Sequence, residues 1–108
     1  MSLYLTRAHY TQEAFKGLIA NPGDRKAAGK TMFEAAGLKL HHMWYSGNGE
    51  VIAVVEGNAV AGATVAMVVM ASGAFSSAES TEMITMEQQV EAMRAAGKVA
   101  AAYRAPGK

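Results

Sequence analysis

Residues 40–50, LHHMWYSGNGE, gather most of the groups in this chain that could do chemistry. Two adjacent histidines, a tryptophan and a tyrosine run into a glycine-rich turn that ends on an acid. An imidazole can act as a general base near neutral pH or ligate a metal. On a regular strand, neighbouring side chains leave on opposite faces, so His41 and His42 are not expected to reach one metal within a single chain. His9, the remaining histidine, lies on another segment. No three-ligand set and no cysteine stand at metal-binding spacing, so neither a metal nor a cofactor is expected.

The same alternation sorts the segment into two rows. His42 falls with Leu38, Leu40 and Trp44, which reads as a helix-covered row. His41 falls with Lys39, Met43 and Tyr45, which reads as the open face. A β-bulge within the strand would exchange the two histidines. An open face carrying His, Tyr and Met is covered by another subunit, by a ligand, or by both. The candidate catalytic residues are therefore His41, as base, and Tyr45, orienting a substrate. Tyr4, Met43, Met83 and Glu50 are the candidate ligand-binding residues. The plainer alternative makes His41 a polar interface residue and the methionines fillers of irregular apolar gaps. Other motifs are missing: Gly47-Asn48-Gly49 does not extend to GxGxxG, and there is no Walker sequence, GxSxG or HExxH.

The elements that must position these groups are legible from periodicity and end signals. LYLTRAHY, residues 3–10, reads as a strand. Thr11 caps a helix whose Phe15, Leu18 and Ile19 share a face. Asn21-Pro22-Gly23-Asp24 breaks and restarts the helix, with Asn21 as cap, Pro22 at its first position and Asp24 in its first turn. That second piece runs to about residue 36, before Gly37. Residues 38–46 form the second strand, and Asn48-Gly49 suits a type I′ hairpin turn. EVIAVVE, residues 50–56, is a continuous apolar run and reads as a central strand. Asn58 caps an uncharged helix that ends at Ser72-Gly73. Residues 75–85 form a weaker strand. Thr85-Met86-Glu87-Gln88 matches a capping box, opening a last helix that turns Val90 and Met93 inward and stops at Gly97.

The order β-α-β-β-α-β plus one helix implies an α+β, ferredoxin-like sandwich: a four-stranded antiparallel sheet in the order 4-1-3-2, packed on helices. One domain over residues 1–97 and an extended tail over 98–108 are expected. The 108 residues carry a net charge of +1 and no basic stripe, so no nucleic-acid partner is expected. The uncharged stretch 59–75 is shorter than the roughly 20 residues of a membrane span and is diluted with small residues, so no membrane partner is expected. No secretion signal is visible and cysteine is absent, which points to the cytoplasm. A chain this short exposes much of its surface alone, and its uncharged helix is apolar on more than one side. Association with copies of itself is expected.

YLTRAHYTQEAFKGLIANPGDR at the start, GEVIAVVE in the third strand, the small apolar helix with ASGA, TMEQQVEAM in the last helix and the closing YRAPG together resemble the GYD-domain family of small bacterial and archaeal proteins. The family motif is Gly-x-Tyr-Asp at the turn into strand three. Here it reads Gly47-Asn48-Gly49-Glu50, so the tyrosine is absent and Glu50 replaces the aspartate. The resemblance implies a ferredoxin-like fold of the dimeric α/β-barrel kind and no particular chemistry. Three functions fit these observations: an oligomeric protein that binds a small apolar or aromatic ligand beside the open sheet face, a cofactor-free oxidoreductase or isomerase using His41 and Tyr45, and a purely structural assembly protein.

Overall fold

Short polar side chains set most of the helix starts. The computed structural model describes residues 1–108, with strands β1 (Ser2–Tyr10), β2 (Lys39–Tyr45), β3 (Glu50–Gly57) and β4 (Phe75–Met83) and helices α1 (Gln12–Ala20), α2 (Arg25–Ala35), α3 (Ala59–Ala71) and α4 (Met86–Ala100). The Thr11 hydroxyl accepts from the Ala14 amide, and the Asn58 side chain from the Ala61 amide at 2.8 Å. Thr85 and Gln88 form both halves of the capping box. Each of these satisfies an amide that the first helical turn leaves without a backbone partner.

Two helix ends differ from expectation. Asp24, not Asn21, caps α2: its carboxylate accepts from the Lys26 and Ala27 amides at 2.9 and 3.3 Å. Asn21 closes α1 instead, its own N–H bonding back to the Gly17 carbonyl. A cap must stand two or three residues before the amides it binds, and Asp24 has that spacing. At the other end, α4 runs through Gly97 to Ala100. Gly97 keeps a negative φ, unlike Gly37 and Gly73, which end α2 and α3 at +88° and +77°. Its neighbours Ala95, Ala96, Lys98 and Ala100 are strong helix formers, and they outweigh the cost of about 1 kcal/mol for one glycine.

The four strands lie in the order β2-β3-β1-β4, every neighbouring pair antiparallel. This is the ferredoxin-like βαββαβ arrangement with an additional C-terminal helix. The β2–β3 connection is a three-residue loop rather than a type I′ turn. The Gly49 amide donates to the Ser46 carbonyl, and the Ser46 amide donates to the Glu50 carbonyl. Only Gly49, at φ +89°, takes a left-handed conformation; Asn48 does not. That is a turn closed by a glycine bulge, in which one left-handed residue is enough.

The helices cover one face of the sheet, α2 over β2 and α3 over β4. Alternation along β3 sends Ala53 and Val55 into this layer, where they pack with Phe33 and Leu38 and with Ala61 and Val65 of α3. Val55 is fully buried. Few side chains are deeply buried, because the sheet presents small residues to its helices and the helices stand apart. Ile19 was expected on the packed face of α1 and is 79% exposed; Phe15 makes that helix's contact, edge-on to Tyr10. Val90 and Met93 do not turn inward either. The whole of α4 stands off the sandwich and is exposed along its length. The radius of gyration is accordingly 17.9 Å, against about 13 Å for a compact chain of this length. No helix is long and apolar enough to cross a membrane.

Candidate functional site

A bulge in β2 decides where the histidines go. Leu40 pairs with Val55 of β3, but His42 pairs with Val54, so His41 is the extra residue between two regular pairs. Two residues then oppose one, and both send their side chains to the same side. His41 donates from Nε2 to the Glu56 carboxylate at 2.8 Å. His42 stacks on Trp44, ring centroids 5.0 Å apart and 7° from parallel. Both histidines and Trp44 therefore lie on the open face, with Ile52, Val54 and Glu56. The expectation that neighbouring residues 41 and 42 must part is corrected: regular alternation fails where a strand carries one residue more than its partner.

Beyond the bulge the rows are exchanged. Met43 pairs with Ala53 and Tyr45 with Val51, both on the helix-covered side. Met43 meets α2 where Gly29 offers no side chain; a Cβ there would stand 2.9 Å from its sulfur. Tyr45 reaches toward Tyr10, ring centroids 6.5 Å apart. The sequence assigned His42 and Trp44 to the covered row and Met43 and Tyr45 to the open row, and the structure reverses all four.

The six candidate residues thus separate into two groups. Tyr4, Met43 and Tyr45 are on the covered side, and His41, Glu50 and Met83 are in open-face rows. His41 and Tyr45 leave β2 on opposite faces and do not converge on one substrate within a chain. Glu50 sits in a small polar network: it accepts from the Asn48 side chain at 2.9 Å and from Arg7 at 3.1 Å. These two bonds, the Asn48 bond first, hold its carboxyl below the usual carboxylate range. His9 belongs to the same end of the sheet. Its Nδ1 donates to the Tyr10 carbonyl at 2.7 Å, which in the neutral ring leaves Nε2 as the acceptor nitrogen. Nowhere do three His, Asp or Glu side chains converge as a metal site would need.

The enclosed space lies on the covered side. A cleft of about 310 Å³ runs between α2 and α3 over the middle of the sheet. Its floor is small: Ala8 pairs with Ala78 across β1 and β4, and in the next covered row Ala53 of β3 pairs with Thr6, which pairs with Ser80. Its walls are Met32, Val65 and Val69, and Tyr10 stacked on Phe75 closes one end, ring centroids 4.9 Å apart. Tyr4 and Met43 line it as well. Beside it, a shallower groove of about 440 Å³ holds Tyr45 against Phe15 and Leu18. Arg25, at the start of α2, borders both. An apolar cleft of this size can hold a small organic molecule.

The sequence reading missed the alanine floor, Arg25, and Glu56 as the partner of His41. The alanines carried a signal. Ala8 and Ala53 recur in rows otherwise filled by Tyr4, Thr6, Tyr10, Val51 and Val55, and small residues in a covered row leave space above them. Arg25 carried none, because a cation at a helix start is an ordinary surface residue until the fold sets a cavity beside it.

The GYD domain family model matches residues 4–93 of the chain. No curated protein matches it.

Proposed function

The chain belongs to the GYD domain family, and from that premise we propose that it is a small self-associating protein that binds an apolar or aromatic ligand in the cleft between α2 and α3. The observation that carries this reading is the cleft of about 310 Å³, floored by Ala8, Ala53 and Ala78. Larger side chains at those positions would fill the space above them. Apolar walls without hydrogen-bonding partners favour burial of hydrocarbon at about 25 cal/mol per Å².

The test is titration with a neutral apolar fluorophore, N-phenyl-1-naphthylamine. We expect saturable binding with one site per chain. Ala78→Phe, on the edge strand β4, should abolish it while the far-ultraviolet circular dichroism stays unchanged. Ala66→Phe, on the opposite wall, should do the same. Saturable binding that survives both substitutions would place the ligand elsewhere and defeat the reading.

Self-association has its own support. The open face carries Leu3, Leu5, Ile52, Val54 and Met83 with no helix over them. Val60, Met67, Val68 and Met70 are exposed on α3, as are Met86, Val90 and Met93 along one stripe of α4. A helix of 15 residues is marginal in water without packing. A second copy of the chain would cover these surfaces, sheet on sheet, with α4 reaching onto the neighbour. Sedimentation equilibrium should give at least twice the chain mass, and a chain ending at Thr85 should form a weaker complex. A full-length chain that sediments as a single protomer at high concentration would overturn this part.

The open-face pair of His41 and Glu56 fits an interface role, a hydrogen-bonded polar contact among apolar neighbours. Tyr45, the expected substrate-orienting partner of His41, lies across the sheet from it.

A further inference from the structure

We propose, resting on the cleft reading above, that the ligand is an amphiphilic monocarboxylate, its hydrocarbon or ring in the cleft and its carboxylate on Arg25. The charges around the cleft lead to this class. Arg25 stands where the cleft meets the adjoining groove. The molecule's ion pairs join Arg7 to Glu50, Lys16 to Glu13 and Lys30 to Glu34, and Glu56 is hydrogen-bonded to His41, which leaves Arg25 without a carboxylate. The nearest acid in sequence, Asp24, is occupied: its Oδ1 accepts from the Lys26 and Ala27 amides as the cap of α2.

The other charged residues at the cleft do not compensate Arg25. Arg7 and Glu79 face each other in the β1–β4 register, in rows that point to the open side of the sheet, and Arg7 is tied to Glu50. A second cation, Lys26, borders the adjoining groove. Asp24 borders that groove too, but its carboxylate is held on the Lys26 and Ala27 amides. The cleft mouth therefore combines apolar walls, a guanidinium with no carboxylate bonded to it, and a nearby ammonium. A guanidinium offers paired N–H donors that fit a carboxylate two-to-two. A neutral ligand would leave that positive field unused, and a cationic one would oppose it. The volume lies at the lower end of the roughly 300–1,000 Å³ of small-molecule sites, which suits a medium-chain fatty acid or a single-ring aromatic acid.

The experiment is displacement of N-phenyl-1-naphthylamine from the full chain by decanoate and, separately, by decanol. Arg25→Gln should weaken decanoate about tenfold, the size of one lost charge-assisted contact, and leave decanol and the fluorophore unchanged. Arg25→Lys should restore most of the difference, because it keeps the charge. Raising the salt concentration should weaken decanoate and spare decanol. Equal effects of Arg25→Gln on both competitors, or none on either, would overturn the carboxylate assignment while the cleft stands. A fluorophore that binds without saturation, or that ignores Ala78→Phe, would remove the cleft itself and this proposal with it.

Discussion

Restoring the family tyrosine at residue 49 should destabilise this protein. Gly49 is buried at φ +89°, where an L side chain is strained by about 1–2 kcal/mol. Space is short as well. A Cβ built there would stand 2.8 Å from His9 Nε2 and 3.2 Å from the Phe15 ring. The ring of His9 cannot yield freely, because its Nδ1 is bonded to the Tyr10 carbonyl at 2.7 Å. Turning it away forfeits that bond, at about 1 kcal/mol. The two effects sum to roughly 2–3 kcal/mol for Gly49→Tyr. At about 2.1 cal/mol/K of unfolding entropy per residue, this lowers the melting temperature by roughly 10 °C. The assay is thermal unfolding by circular dichroism, run as a double-mutant cycle with His9→Ala. His9→Ala should relieve the crowding and recover about 1 kcal/mol of the loss, and the backbone strain should remain. A Gly49→Tyr variant within about 0.5 kcal/mol of the parent would show that the loop adopts another conformation without cost, and would refute the account of why glycine stands in the motif's tyrosine position.

Three further outcomes follow from the same structure. Asp24→Ala removes the cap of α2 and should cost about 1 kcal/mol, with faster hydrogen exchange at the Lys26 and Ala27 amides as the local readout. Val55→Ala opens a void at the most deeply buried side chain and should cost about 2 kcal/mol in a urea titration; a loss below about 0.5 kcal/mol would mean that the core collapses to refill it. Glu50, held below the usual carboxylate range by Asn48 and Arg7, contributes stability that is complete above its unfolded value of about 4.3 and is lost as pH falls through its folded value. Arg7→Gln should raise the Glu50 titration midpoint, read by NMR at its side-chain carboxyl carbon, and should reduce the loss of stability in acid.

The fold was legible because its signals are local. Thr11, Asn58 and the Thr85–Gln88 box cap helices through residues two or three positions away, and Gly37 and Gly73 end them through their own φ. The β3 run and the two crossovers then leave one sensible strand order. The sequence by itself thus determined the elements, their order and the ferredoxin-like arrangement. Only the tertiary structure decided which face each residue of β2 presents. The bulge at His41 arises from how β2 pairs with β3, and pairing is a property of two strands, not of either one. One extra residue was enough to move Met43 and Tyr45 under the helices and to bring His42 and Trp44 beside His41. The cleft was decided in the same way: Ala8, Ala53 and Ala78 are distant in sequence and meet only when β3, β1 and β4 lie side by side. Arg25 gains its place for the same reason, since a surface cation becomes a candidate ligand contact only where packing leaves an apolar space beside it.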